Sequence, residues 1–285
     1  MQQGNPMHLQ GVTALVTGAG RMRGIGRAIA LKLAADGADV VVSSISRKTE
    51  TFPEQEQASG WRGIDSVADE IRALGRRALS VNCDVTERDQ VSSLFEKAEN
   101  AFGTVNAIVN NAGVAGRTGS AAIVDLDDAE WRRTIDVNLN GVYLVSKRAG
   151  QGLIAAGKPG AIVNLSSLAG RVGMAWYGGY CASKFAVIGL TQQMALELAR
   201  YSVRVNCVCP GTIDTDMMDG TFSRIAERSG KLSSAEIKQS VARSVPLRRQ
   251  GLPQELATVI SFLLGPEASY VTGQTINVDG GLRMD

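Results

Sequence analysis

Short β-branched runs and helix-period runs alternate along the whole of this 285-residue chain, and that alternation restricts the fold more than any other feature. Strand-like runs fall at 12–17, 38–44, 78–82, 107–110, 161–165, 203–208 and 275–278. Helical periodicity occupies 24–36, 64–74, 88–102, 128–156, 178–200 and 253–264. Strands separated by helices cannot close as tight hairpins, so they pair in parallel through right-handed crossovers. Repeating that step gives an α/β fold, a doubly wound parallel sheet of the Rossmann type. No linker, repeat or low-complexity block interrupts the pattern, so residues 1–285 read as one domain. At 44% hydrophobic and 20% charged, the chain is long and apolar enough to bury its own core. The polar stretch 46–62 reads as an inserted surface loop. The stretch 212–250 mixes Met217, Met218, Phe222 and Leu232 with many charges, the pattern of a mobile segment that closes over a substrate.

Charge and composition exclude several classes. A net charge of +2 is close to balance and argues against nucleic acid or an anionic membrane surface as partner. There is no signal-peptide pattern and no apolar run of spanning length, so a cytoplasmic location is expected. The single histidine, His8, falls in a polar N-terminal tail, which excludes a histidine triad and a histidine-rich metal centre. Cys83, Cys181, Cys207 and Cys209 show no disulfide framework; Cys207 and Cys209 share one face of a strand and read as small core residues, so no metal is expected.

Acid–base work must then fall to another side chain, and Tyr180 with Lys184 offers it. Four positions apart in a helical segment, the two project from one face about 5–6 Å apart. A free phenol titrates near pH ~10, and an ammonium beside it would favour the phenolate and bring it toward neutrality. Upstream, Gly18, Gly20, Gly24 and Gly26 crowd the first strand-to-helix turn. Glycines admit close backbone approach, and the helix start that follows presents free N–H groups to a diphosphate. Asn82-Cys83-Asp84-Val85 and Asn110-Asn111-Ala112-Gly113 sit at the carboxyl ends of later strands, where ligands bind in open α/β sheets.

In that order the glycine turn, Asp84-Val85, the Asn-Asn-Ala-Gly run, Asn138, Asn164-Leu165-Ser166-Ser167, Tyr180/Lys184 and Pro210-Gly211 resemble the single-domain short-chain dehydrogenases/reductases, over about Leu9 to Gly281. The resemblance implies NAD(P)(H)-dependent interconversion of a ketone and a secondary alcohol by hydride transfer. It makes Tyr180 the acid/base, Lys184 its electrostatic partner and a ligand of the nicotinamide ribose, Ser167 a donor to the substrate oxygen, and Asn138 the holder of a water linking Lys184 to solvent. It implies cofactor contacts at Gly18, Arg23, Gly24, Ile25, Gly26, Ser44, Arg47, Asp84, Val85, Asn111, Ala112, Gly113, Pro210, Gly211, Ile213 and Thr215, and a homotetramer. Two departures stand out: five residues separate Gly18 from Gly24, two more than the family pattern, and Ser202 occupies a position usually held by glycine.

Cofactor choice follows from the end of the second strand, Val42-Ser43-Ser44-Ile45-Ser46-Arg47-Lys48. It lacks the carboxylate that would receive ribose hydroxyls of NAD(H), whereas Arg47, Lys48 and Arg23 suit a 2′-phosphate, so NADP(H) is expected over NAD(H). Arg171, Met174, Trp176 and Tyr177 are expected to line the substrate pocket. The substrate reads as a small-molecule ketone or secondary alcohol. Thr212–Met217 resembles the β-ketoacyl-thioester reductases of the same family, which keeps that activity as the alternative. A dinucleotide sensor on the same fold would have no need of the Asn138, Ser167, Tyr180 and Lys184 quartet, and neither would a methyltransferase with a similar turn.

Overall fold

The computed structural model describes residues 8–284. Strands β1 (Thr13–Thr17), β2 (Asp39–Ser44), β3 (Ala78–Asn82), β4 (Ala107–Asn110), β5 (Gly160–Leu165), β6 (Val203–Pro210) and β7 (Thr275–Val278) pair in one sheet, in the order β3-β2-β1-β4-β5-β6-β7. Every pairing is parallel, with Val16 opposite Val42 on one side and Val109 on the other. Because side chains alternate along a strand, the same strands feed two cores. Val16, Val42, Val109 and Val163 face one helical layer, while Leu15, Val41, Ile108 and Ile162 face the other. The first layer is built from α1 (Ile25–Ala35), α3 (Ile64–Ala73) and α10 (Pro253–Leu264), the second from α4 (Arg88–Phe102), α6 (Gly141–Ala156) and α7 (Gly178–Leu198). No helix among the described residues is long and apolar enough to cross a membrane.

Three expectations are corrected, and a fourth segment takes definite form. The stretch 46–62 is structured: a 3-10 turn at Thr49–Thr51 leads into the short α2 (Glu54–Ala58), and Phe52, Glu56 and Trp61 are buried. The Trp61 indole donates to the Gly20 carbonyl at 2.9 Å, so the insertion packs on the glycine turn. The expected long helix 128–156 is divided into α5 (Asp128–Ile135), a π turn over Asp136–Asn140, and α6. Its apolar periodicity hides the extra residue that the wide turn takes up. His8 is not in a free tail: its ring lies 3.2 Å from the Ser261 hydroxyl on α10. Residues 212–250 hold two capped helices, α8 (Asp216–Ser229), started by the Thr215 hydroxyl, and α9 (Ser234–Ser244), started by a Ser233–Glu236 capping box.

The Ser202 departure has a plain reason. This residue ends the turn after α7 with φ 60, the left-handed region in which glycine carries no Cβ penalty. Cys207 and Cys209 are buried beside Val142 and Val187, in agreement with a core role.

Candidate functional site

A cleft of about 750 Å³ opens along the carboxyl ends of the strands. Gly18, Arg23, Gly24, Ile25, Gly26, Ser44, Arg47, Asp84, Val85, Asn111, Ala112, Gly113, Ser167, Tyr180, Lys184, Pro210, Gly211, Ile213 and Thr215 all line it. Asn138 does not; it lies behind the wall.

At one end the backbone forms the cradle expected of a diphosphate site. Gly18 has φ +70, and a Cβ there would stand 2.6 Å from the Ala112 Cα; one on Gly26 would meet the Asn111 amide at 2.6 Å and the Gly18 carbonyl at 2.7 Å. Only glycine fits at either place. The α1 N-terminus follows Gly24 with no capping side chain and no acidic residue in its first turn, which leaves its N–H groups and positive dipole end for an anion. Asn111 fixes the floor by donating to the carbonyls of Thr17 at 2.8 Å and Gly18 at 3.0 Å. These residues fit a dinucleotide.

The other end holds Ser167, Tyr180 and Lys184. Ser167 follows β5; its hydroxyl accepts from the Ala169 N–H at 3.1 Å and stands near enough to the Tyr180 phenol to favour the ionised form. Lys184, one turn beyond Tyr180 on α7, is buried; its Nζ lies 5.6 Å from the Tyr180 ring centre and donates to the Leu165 carbonyl at 2.8 Å. Burial pushes the Tyr180 phenol up from its ordinary value, only partly opposed by Ser167. The expected lowering by Lys184 is therefore corrected: the ammonium sits over the ring and spends a hydrogen bond on a carbonyl, and desolvation wins. The same desolvation brings Lys184 down to about 8.

Asn138 occupies the π turn. Its Oδ1 accepts from the Val114 N–H at 2.8 Å, and its Nδ2 donates to the Val114 carbonyl at 3.0 Å and to Ser183 Oγ at 3.3 Å. It thereby ties the strand following Gly113 to α7. A Cβ on Gly113 would lie 3.2 Å from Asn138 Oδ1 and 3.8 Å from Lys184 Nζ, so the glycine brings the two side chains close.

Charges at the cleft are partitioned. Arg23 donates to Asp214 at 3.0 Å, Asp216 at 3.1 Å and Asp219 at 3.0 Å, and is not a free cation facing the ribose. Arg21 joins Glu56 at 3.1 Å to Asp216 at 3.0 Å, and Lys238 of α9 adds Asp214 and Asp219. Sequence reasoning had Arg23 but not its partners, which come from 191 to 196 positions away. It also missed Arg62, Arg133, Thr134, Val137 and Arg224 on the cleft wall. Helical spacing of Arg133, Thr134 and Val137 was the available signal. Trp176 and Tyr177 are not among the wall residues: Trp176 is 41% exposed beneath Arg228, and Tyr177 stands edge-on to Tyr180 with ring centres 6.4 Å apart.

Comparison with known proteins agrees with this geometry. The sequence profile of the family described as enoyl-(acyl carrier protein) reductase matches residues 18–283. A short-chain dehydrogenase/reductase of Armillaria gallica is 37% identical over 276 residues, covering 97% of each chain. The 3-oxoacyl-(acyl-carrier-protein) reductase of Staphylococcus aureus is 36% identical over 272 residues, covering 95% of this chain and 98% of its own. A variant of actinorhodin polyketide ketoreductase, solved with NADPH, superposes with a TM-score of 0.84 at 33% identity, covering 98% of this chain and 99% of its own. The chain therefore belongs to the short-chain dehydrogenase/reductase family and is an NAD(P)-dependent oxidoreductase that interconverts ketones and secondary alcohols.

Proposed function

We propose that the enzyme reduces a small-molecule ketone with NADPH, with Tyr180 as proton donor and Ser167, Lys184 and Asn138 in support. The observation that carries the reading is the convergence of Ser167, Tyr180 and buried Lys184 on one dinucleotide-sized cleft, with the Lys184 Nζ 5.6 Å from the Tyr180 ring centre. The cofactor, held along the glycine turn, Asp84-Val85 and Asn111-Ala112-Gly113, supplies hydride when bound. Ser167 and Tyr180 aim their hydroxyls at the substrate oxygen as negative charge develops there. The Tyr180 phenol, kept protonated by burial, passes its proton to that oxygen. Lys184 stabilises the phenolate left behind and steadies the ribose, and Asn138 holds the Val114 backbone and α7 in register around it.

Preference for NADP(H) is supported by the second strand. At its end, Ser44, Ser46 and Arg47 line the cleft, and Asp65, also on the wall, accepts from the Ser80 hydroxyl at 2.5 Å. Arg47 and Arg133 have no carboxylate within ion-pair distance among the described residues, and they replace Arg23 as the cations that suit a 2′-phosphate. The polyketide ketoreductase solved with NADPH points the same way. The test is kcat/KM with NADPH and NADH on one ketone, in wild type, Arg47→Ala and Ser44→Asp. NADPH should lead by about tenfold or more, about 1.4 kcal/mol; Arg47→Ala should erase the lead and Ser44→Asp reverse it. An NADH preference in the wild type would overturn the reading.

A β-ketoacyl thioester is the second substrate reading, favoured by the likeness to the staphylococcal 3-oxoacyl reductase. The segment 212–250 would close over either substrate. A homotetramer is supported by apolar side chains left outside α6 and α7, with Leu196 83% exposed and Tyr143 and Phe185 also exposed, although Val142 and Val145 turn to the core.

A further inference from the structure

Six arginines line the cleft, and their partners sort them. Arg21, Arg23 and Arg62 are each paired with carboxylates. Arg47, Arg133 and Arg224 have none within ion-pair distance among the described residues. The first two lie toward the adenosine end and are accounted for by a cofactor phosphate. Arg224 stands at the opposite end, on α8, and nothing in the reaction yet uses it.

Its surroundings hold it still without neutralising it. Arg224 Nε donates to the Thr118 carbonyl at 2.9 Å and Nη2 to the Thr221 hydroxyl at 2.9 Å; both acceptors are uncharged, and Nη1 makes neither contact. Burial lowers this guanidinium, and the neighbouring Arg117 opposes it further, while Tyr177 and Glu227 favour it without bonding to it. Its charge reaches Tyr177, whose ring stands edge-on to that of Tyr180, so Arg224 belongs to the catalytic end of the cleft. The wall that carries Arg224 and Tyr180 also carries apolar residues, among them Val114, Met217 and Met218. A partly buried guanidinium, fixed in direction and short of an anion, is a site for one. Arg224 and Arg117 with Glu227 nearby leave a local balance of about one positive charge, which matches a monoanion better than a phosphate dianion.

We propose that the physiological substrate carries a carboxylate and that Arg224 binds it, with the carbonyl to be reduced separated from that carboxylate by a hydrocarbon portion lying against Met217 and Met218. This rests on the ketone-reductase reading above and adds the substrate class to it. An arginine that merely held α8 against the 115–120 loop would affect every substrate alike, whereas a carboxylate anchor discriminates.

The experiment compares ketones that differ only in the charge: 4-oxopentanoate against methyl 4-oxopentanoate, and 3-oxocyclohexanecarboxylate against its methyl ester. For at least one pair the wild-type ratio of kcat/KM, acid over ester, should be about tenfold or more; it should fall to about one in Arg224→Gln and recover in part in Arg224→Lys. A wild-type ratio of one or below in both pairs, or a ratio unchanged by Arg224→Gln, overturns the proposal. Calorimetric titration of cyclohexanecarboxylate and its methyl ester into wild-type enzyme saturated with NADPH reads the same preference without turnover or a variant; equal binding, or none, also overturns it. Reduction of the esters that is abolished by Tyr180→Phe, with no acid preference, would sink the anchor alone. Failure of Tyr180→Phe to slow any ketone would instead sink the catalytic reading beneath it.

Discussion

Removing the Glu56 carboxylate tests whether the insertion after β2 governs the phosphate loop. Glu56 is 2% exposed; its Oε1 accepts from the Met22 N–H at 2.8 Å and from Arg21 Nε at 3.1 Å. Both donors belong to the lengthened glycine turn. Each hydrogen bond to a charged group contributes about 1.5–3 kcal/mol, and removing one partner of a buried pair costs about 3–5 kcal/mol. The upper figure does not apply, because Arg21 is part-exposed and keeps Asp216 at 3.0 Å. Glu56→Ala should therefore cost about 2–3 kcal/mol, or about 3–5 °C in Tm for a chain of this size. Glu56→Gln keeps an acceptor for Met22 N–H and loses only the charge, so it should cost about 1 kcal/mol. Scanning calorimetry gives the first readout; steady-state kinetics gives the second, a higher cofactor KM for Glu56→Ala at unchanged kcat. If Glu56→Ala matched wild type in both Tm and cofactor KM, the insertion would rest on the glycine turn without shaping it.

Further consequences can be measured separately. Tyr180→Phe should lower kcat by about 10²-fold or more with cofactor affinity retained, read by turnover and by tryptophan quenching; wild-type turnover would remove Tyr180 from its role. Lys184 titrates near 8 in the folded chain against 10.5 when free, so between those values the unfolded chain binds more protons and this group makes stability rise with pH. Urea midpoints should gain from pH 8 to pH 10 in wild type relative to Lys184→Met, and parallel pH profiles would refute the assignment. Ser202→Gly should stabilise by about 1 kcal/mol, since it removes a Cβ from a left-handed residue, and equilibrium unfolding should detect it. Light scattering at micromolar concentration should return four copies; a monomer would leave the exposed face of α7 without its proposed cover.

The order of strands was legible because β-branched runs bounded by helical periods leave few topologies, and the observed β3, β4 and β7 have the bounds read from the sequence. Most of the cleft residues named from the sequence were legible because they sit at a strand end or in the first turn after one, and Tyr180 and Lys184 because four-residue spacing puts both on one face of a helix. The missing parts depend on contacts distant in sequence. Phe52 and Trp61 lie in a stretch of polar composition, and nothing local says that Gly20 will accept from the Trp61 indole. Arg23 looks like a phosphate ligand until Asp214, Asp216 and Asp219 are folded against it. The direction of the Tyr180 shift likewise hinges on where the Lys184 ammonium points, which four-residue spacing leaves open.

The wide turn at Asp136–Asn140 makes chain length itself carry information. An ordinary helix advances about 100° per residue, and the wide turn absorbs one extra residue without passing that rotation on, so loss of a single codon there would let an unbroken α-helix form with α6 still on its present face. Asn138 would leave Val114, while the side of α6 bearing Val142 and Val145 would stay on the sheet. The spelling of apolar residues would remain almost identical. Two genes differing by that one triplet would thus look alike in hydrophobic pattern and encode the same sheet and helices, yet only one would keep the Asn138 tie to Val114, and aligning such sequences by composition would hide the lesion.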